Sequence, residues 1–195
     1  MRSKTVTNLY LPMAAMFLTM ALALPAAAQQ VKMTFSGTAG ASASNLQQPN
    51  TRNGEDNYAG TGTLGSFTFR LLEADPNSPT ASNTCSGPNV IYAVESAGGG
   101  VFRFQDGSLL FVQLTHGSDC LNLATGEAHC IRILQITGGT GRFKNVSPGA
   151  LLTLTEAIAT VLTDALGNPV LFAANGTITG TVSGVGGAQS QDSQP

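Results

Sequence analysis

Ile136–Phe143 reads I-T-G-G-T-G-R-F, three glycines in four residues between two strand-like runs, Ala128–Gln135 and Ala150–Val161. Glycine clustered between such segments predicts a tight turn inside an antiparallel sheet. The same punctuation recurs elsewhere. Asp106-Gly107 divides Val101–Gln105 from Ser108–Thr115, and both residue types tolerate the positive φ that a type I′ hairpin turn demands. Phe67, Phe69 and Leu71 fall on one face of a strand while Ser66, Thr68 and Arg70 fall on the other, a period of two. Ala150–Thr163 comes closest to a helical pattern, but its β-branched residues and Leu/Thr alternation favour a strand. The strands predicted are Val31–Ala39, Tyr58–Leu72, Val90–Ser96, Val101–Gln105, Ser108–Thr115, Ala128–Thr137, Ala150–Thr163 and Pro169–Val182. Ser42–Asn57 and Asp75–Pro88, polar and proline-bearing, read as long loops. With 10% charged residues and 23 glycines, the composition suits short strands joined by tight turns. The expectation is an all-β, antiparallel, closed barrel of about eight strands.

The first 28 residues stand apart. Arg2 and Lys4 precede an apolar run, Met13–Leu24, and Pro25 and Ala26-Ala27-Ala28 follow it, the three-part pattern of a secretory signal. The run falls short of the roughly 20 residues that a spanning helix needs. Residues 1–28 are therefore expected to be removed, with a barrel over 29–184, a disordered tail over 185–195 and a secreted or periplasmic destination. No second stretch reaches membrane-spanning length, so no membrane association is expected after signal removal. The remaining chain carries 7 basic and 11 acidic residues, since two of the 9 basic residues leave with the signal. It has no basic run, which argues against a nucleic-acid partner.

Thr137-Gly138-Gly139-Thr140-Gly141-Arg142-Phe143, followed by Gly149 and an alternating strand, resembles the central motif of the allene oxide cyclase and dirigent barrel superfamily. Gly60-Thr61-Gly62-Thr63-Leu64-Gly65-Ser66-Phe67 and Gly176-Thr177-Ile178-Thr179-Gly180-Thr181 are similar to the Gly/Thr-rich strands of its small exported bacterial members. The likeness covers roughly Tyr58 to Val182. It implies an eight-stranded antiparallel, calycin-like barrel with a cavity, often trimeric in the plant enzymes. It carries over no catalytic residue. A dinucleotide-binding reading of T-G-G-T-G fails, because Pro148-Gly149 and a strand follow it and Phe143 or Lys144 stands where the third glycine of G-x-G-x-x-G is needed.

Both histidines and two of the three cysteines lie close together, at His116, Cys120, His129 and Cys130. Their spacing matches no standard zinc pattern, and an exported protein favours disulfides, so no metal and no cofactor are expected. A hairpin centred on Thr125 sets Cys120 opposite Cys130, predicting a disulfide between them and leaving Cys85 over. Ser118, His116 and Asp119 are too close in sequence for a catalytic triad and read as a polar hairpin loop. Arg103, Arg132 and Glu156 are charged positions inside apolar strands. Arg132 shares a face with Cys130, Leu134 and Ile136, and Glu156 with Leu152, Leu154 and Ile158. Buried charges need partners, so these residues are either solvent-facing or structural ion pairs, or they are polar anchors in a barrel cavity.

Three functions follow as expectations. The first is an exported barrel binding a small, largely apolar ligand or a partner. The second is a cyclase- or dirigent-like isomerase that steers a reactive intermediate. The third is a surface-interaction barrel with a packed interior. Binding ranks above catalysis, because no residue set satisfies active-site geometry. Leu109–Val112 and Val170–Ala173 are apolar on both faces, which predicts self-association to a trimer or dimer.

Overall fold

The computed structural model describes residues 28–44, 46–78, 85, 90–95, 97–122 and 124–186. The predicted signal, apart from Ala28, and residues 187–195 of the predicted tail lie outside them. The strands are β1 (Gln29–Ala41), β2 (Thr51–Gly62), β3 (Phe67–Pro76), β4 (Val90–Glu95), β5 (Ala97–Phe104), β6 (Leu109–Asn122), β7 (Glu127–Gly139), β8 (Leu151–Thr163) and β9 (Pro169–Val182). All pairings are antiparallel. The order β6-β5-β3-β2-β1-β9-β8-β7 closes through β7 back onto β6, an eight-stranded barrel, and β4 pairs with β6 outside the ring. Closure leaves the ring no free edge.

Side-chain alternation sorts this barrel into an inside and an outside. Met33, Phe69, Phe102, Leu110, Leu134, Ile136, Leu152 and Ile178 point inward and pack into one apolar cluster. Phe69 and Phe102 stack with centroids 4.0 Å apart. The T-G-G-T-G-R-F motif plugs this end of the barrel. Gly141 takes φ +58°, and a Cβ there would overlap the Ser108 side chain, so both the turn and the close approach require glycine. The single 3₁₀ turn among the described residues, Gly141–Phe143, then drives the fully buried Phe143 ring against Phe104, 4.8 Å away. Arg142 lies over both rings at 4.7 and 4.8 Å and donates to the Leu64 carbonyl. Val185 packs against the core and the Gly186 N–H donates to the Arg142 carbonyl, so the barrel's contacts reach into the first residues of the predicted tail.

Two predicted loops are partly strand. β2 begins at Thr51 and pairs in unbroken register with β3, from Thr51 opposite Pro76 to Gly60 opposite Phe67. Backbone pairing over this length holds polar residues in a strand that their side chains alone do not announce. His116, Ser118 and Asp119, read as a polar hairpin loop, lie in the second half of β6. There the pairing with β7 shifts register between Leu114 and His116, so the inward positions change from Leu110, Val112 and Leu114 to Gly117 and Asp119.

The cysteine pairing differs from the prediction. Cys85 is bonded to Cys120, and Cys130 is free and buried. The reason is one residue of register. The β6–β7 hairpin sets Asn122 opposite Glu127, Cys120 opposite His129 and Asp119 opposite Cys130. Directly opposed residues share a face, so a one-residue slip puts Cys120 and Cys130 on opposite faces of the sheet. Cleavage of the unreduced protein should therefore yield a linked peptide pair containing Cys85 and Cys120. Cys130 should react with an alkylating reagent only after denaturation; its rapid labelling in the folded protein would contradict the inward register of β7.

Candidate ligand site

β7 carries Ala128, Cys130, Arg132, Leu134 and Ile136 on its inner face, and Arg132 is only 2% exposed. A guanidinium sealed from water needs acceptors for its donors, and carboxylates supply them. Nε and Nη2 of Arg132 donate to the two carboxylate oxygens of Glu73 at 2.6 and 2.7 Å, a forked pair. Nη1 donates to Glu156 Oε1 at 2.8 Å, and Tyr58 donates its hydroxyl to Glu156 Oε2 at 2.5 Å. Glu95 Oε1 approaches Nη2 at 3.1 Å, with Asp56 at 3.8 Å and Asp119 at 3.9 Å.

Each acid arrives through strand parity. On β3, Phe67, Phe69 and Leu71 point inward, and the next two inward positions are Glu73 and Asp75. On β2 the inward series includes Gly54, Asp56 and Tyr58. Glu156 follows Leu152 and Leu154 on β8, and the β6 register shift turns Asp119 inward. Glu95 sits at the end of β4, opposite Gly117. Asp56, Glu73, Asp75, Glu95, Asp119 and Glu156 thus converge at the end of the barrel away from Phe143. They are six of the chain's 11 acidic residues. Beside them is a cavity of about 90 Å³ lined by Asp56, Glu73, Asp75, Asp119 and Arg132, with Arg52 at its rim and Ala39, Leu121, Ala128, Ile158 and Phe172 as apolar wall.

Burial and mutual repulsion make this cluster proton-hungry. Desolvation first, then the charge of Glu73, raises the pKa of Asp56 and of Glu95 well above the usual carboxylate range. The same two causes push Asp75 up to about 7. Glu156 is raised by desolvation against the opposing pull of Arg132. Burial, reinforced by Asp119, pushes the Cys130 thiol upward, so it remains a protonated, unreactive group.

The structure brings together two of the three charged residues singled out from sequence, Arg132 and Glu156, both inside the barrel. Arg103 does not join them. It lies exposed on the outer face of β5, between the inward-facing Phe102 and Phe104, so an inner-wall role for it is corrected by parity. His129 is exposed on the face of β7 opposite to Cys130, and His116 is also exposed, which separates the histidines from the buried thiol. Sequence reading missed Asp56, Glu73, Asp75, Glu95 and Asp119. For Glu73 and Asp75 a signal existed, because they continue the Phe67-Phe69-Leu71 alternation. Asp119 had none, since its inward direction depends on the β6 register shift. In comparisons with known proteins, no family model and no curated sequence matches this chain.

Removing the central cation leaves several acids buried without a counter-charge. Arg132→Met should destabilise the fold by roughly 3–5 kcal/mol, the range for breaking a buried ion pair from one side. Urea denaturation would measure it, and the loss should be greater at pH 8 than at pH 5, where the stranded carboxyls take up protons. The wild-type protein without added cations should also depend on pH. Asp75 is raised to about 7 from the ordinary value of 3.8, so the stability it contributes is complete below about 3.8 and is lost as pH rises through 7. The melting temperature in chelator-treated buffer should fall between pH 5 and pH 8. Asp75→Asn should flatten that slope.

Proposed function

We propose that this protein is an exported binding barrel whose acid-lined end receives a small ligand, with a positively charged group innermost and an apolar part against the wall. The observation that carries this reading is the imbalance inside the cavity. Arg132 offsets Glu73 and Glu156 through direct hydrogen bonds, while Asp56, Asp75, Glu95 and Asp119 all have side-chain oxygens that accept no hydrogen bond. Buried acceptors without donors are costly, and a ligand that supplies positive charge relieves them. The apolar wall of Ala39, Leu121, Ala128, Ile158 and Phe172 suits the remainder of such a ligand. Export is supported by the signal-like N-terminus and by the Cys85–Cys120 disulfide, a bond that persists in oxidising compartments.

A cyclase- or dirigent-like enzyme is the second reading. It is favoured by the barrel form and by the hydrogen-bonded chain Tyr58–Glu156–Arg132, which puts a proton donor and a cation close to the cavity. Binding ranks first because that chain is internally satisfied. Native mass spectrometry of protein recovered from the exported compartment should reveal a bound cationic species that is lost from Asp56→Asn. Retention of only neutral or anionic ligands would refute the charge argument.

Self-association is part of the same proposal. Phe111, Ile131 and Leu151 stand 36%, 46% and 51% exposed on the barrel's outer wall. Sedimentation at micromolar concentration should give a multiple of the protomer mass, and Ile131→Lys combined with Leu151→Lys should reduce it to the monomer. A monomeric wild type would remove this part of the reading.

A further inference from the structure

We infer that Glu73 and Asp75 of the cavity wall, together with Glu95 beside them, form a binding site for a hard divalent cation of the calcium class. This rests on the reading that the cavity's occupant is positively charged, and it names the occupant. One carboxylate oxygen from each of these residues lies within 4.8 Å of the others. Oxygens so placed fit around an ion whose ligands stand about 2.3–2.6 Å from its centre, as those of calcium do. All three residues are buried, and each belongs to a strand whose backbone pairing fixes it.

Two further observations separate this trio from a chance gathering of acids. The Glu95 side chain is fully enclosed (0% exposed), and neither of its oxygens accepts a hydrogen bond. Its Oε1 stands 3.1 Å from Arg132 Nη2, but Oε2 has no donor, and a buried carboxylate oxygen in that state beside two further carboxylates points to a missing partner. The surrounding backbone has also been cleared to admit it. A Cβ at Gly117 would overlap the Glu95 carboxylate, and a Cβ at Gly54 would press on Glu73 Oε1 at 3.1 Å and Asp75 Oδ2 at 3.4 Å. Neither glycine has a positive φ, so neither is needed for its conformation. Their service is space.

Stoichiometry of donors and charge selects the ion. The oxygens of the acid cluster that accept no hydrogen bond are both of Asp56, both of Glu95, Asp75 Oδ1 and Asp119 Oδ1. An ammonium group has three N–H donors and would leave acceptors unmatched, whereas calcium takes six to eight oxygen ligands. With Glu73 and Glu156 engaged by Arg132, four carboxylates remain, and Arg52 stands 3.6 Å from one of them, Asp75. Counted as formal charges, six carboxylates against the two cations Arg132 and Arg52 leave an excess of four, which a divalent ion offsets better than a monovalent one. Zinc-type ions are disfavoured, because the three ligands are all oxygen and the Cys130 thiol stays protonated.

The test is calorimetric titration of the chelator-treated mature protein with calcium chloride, then magnesium chloride, then butylammonium chloride, alongside thermal melts. The expected result is a single calcium per chain, bound at least about tenfold more tightly than magnesium, with a raised melting temperature. Glu95→Gln should weaken calcium binding by about tenfold or more, as loss of a ligand does, yet leave the melting temperature of the calcium-free protein no lower, because the isosteric amide keeps the packing and carries no charge to repel Glu73. That pairing of effects shows the variant to be folded. Glu127→Gln, on the exposed surface, should change neither. Terbium luminescence sensitised through Tyr58, whose hydroxyl reaches the cluster at Glu156, gives an independent readout. Butylammonium binding without calcium binding overturns the metal inference and leaves the cationic-ligand reading standing. Binding of neither overturns both. Calcium binding that Glu95→Gln leaves intact overturns the placement.

Discussion

A single guanidinium inside a β-barrel organises this molecule. Arg132 reaches acids from four strands of the barrel wall and from β4 outside it, tying together elements that are distant in sequence: Glu73 lies 59 residues away and Glu156 24. A charge so buried is tolerated only when its hydrogen-bonding capacity is met, and the forked pair with Glu73 and the bond to Glu156 meet it. Those contacts rigidify the acid-lined end in the way that stacked phenylalanines rigidify the other. They also leave an acidic surplus, and that surplus gives the cavity its chemical character.

The two ends of the barrel are built on opposite principles. At the Phe143 end, aromatic rings and branched aliphatics fill the space, and Arg142 closes it by lying across two rings. Such packing is directionless and stabilises through removal of apolar area from water. At the Arg132 end, stability depends on which groups carry protons. The raised pKa values of Asp56, Asp75 and Glu95 mean that the metal-free barrel holds part of its acidity as neutral carboxyl groups. A folded domain that retains such a cluster has a local stability linked to pH at this end.

Alternation made much of the wall readable. Phe67-Phe69-Leu71, the Asp106-Gly107 hairpin with Gly107 at φ +79°, and the late strands β7, β8 and β9 follow from residue order with small shifts of boundary. The shared parity of Arg132 and Glu156 with apolar neighbours was legible too, although residue order alone left a wet face and the barrel interior both open; the structure turns both side chains inward. The same rule gave no direction for Arg103, whose strand is short and glycine-rich at its start; it stands on the outer wall. Glu55 and Asp56 lay within an expected loop because a polar strand paired to a long partner looks, residue by residue, like a turn.

What the sequence determined by itself was the all-β class: glycine-punctuated, period-two segments bury their apolar faces by packing sheet on sheet or by closing a sheet on itself. Which acids meet Arg132, and which cysteines meet each other, was decided by register. Asp119 turns inward because β6 shifts its pairing with β7 after Leu114, and Cys120 misses Cys130 by one position for want of a hairpin centred on Thr125. A side-chain period of two makes every single-residue offset an exchange of inside for outside. Such offsets are set by how whole strands pair across the closed ring, and no local window of sequence contains that information.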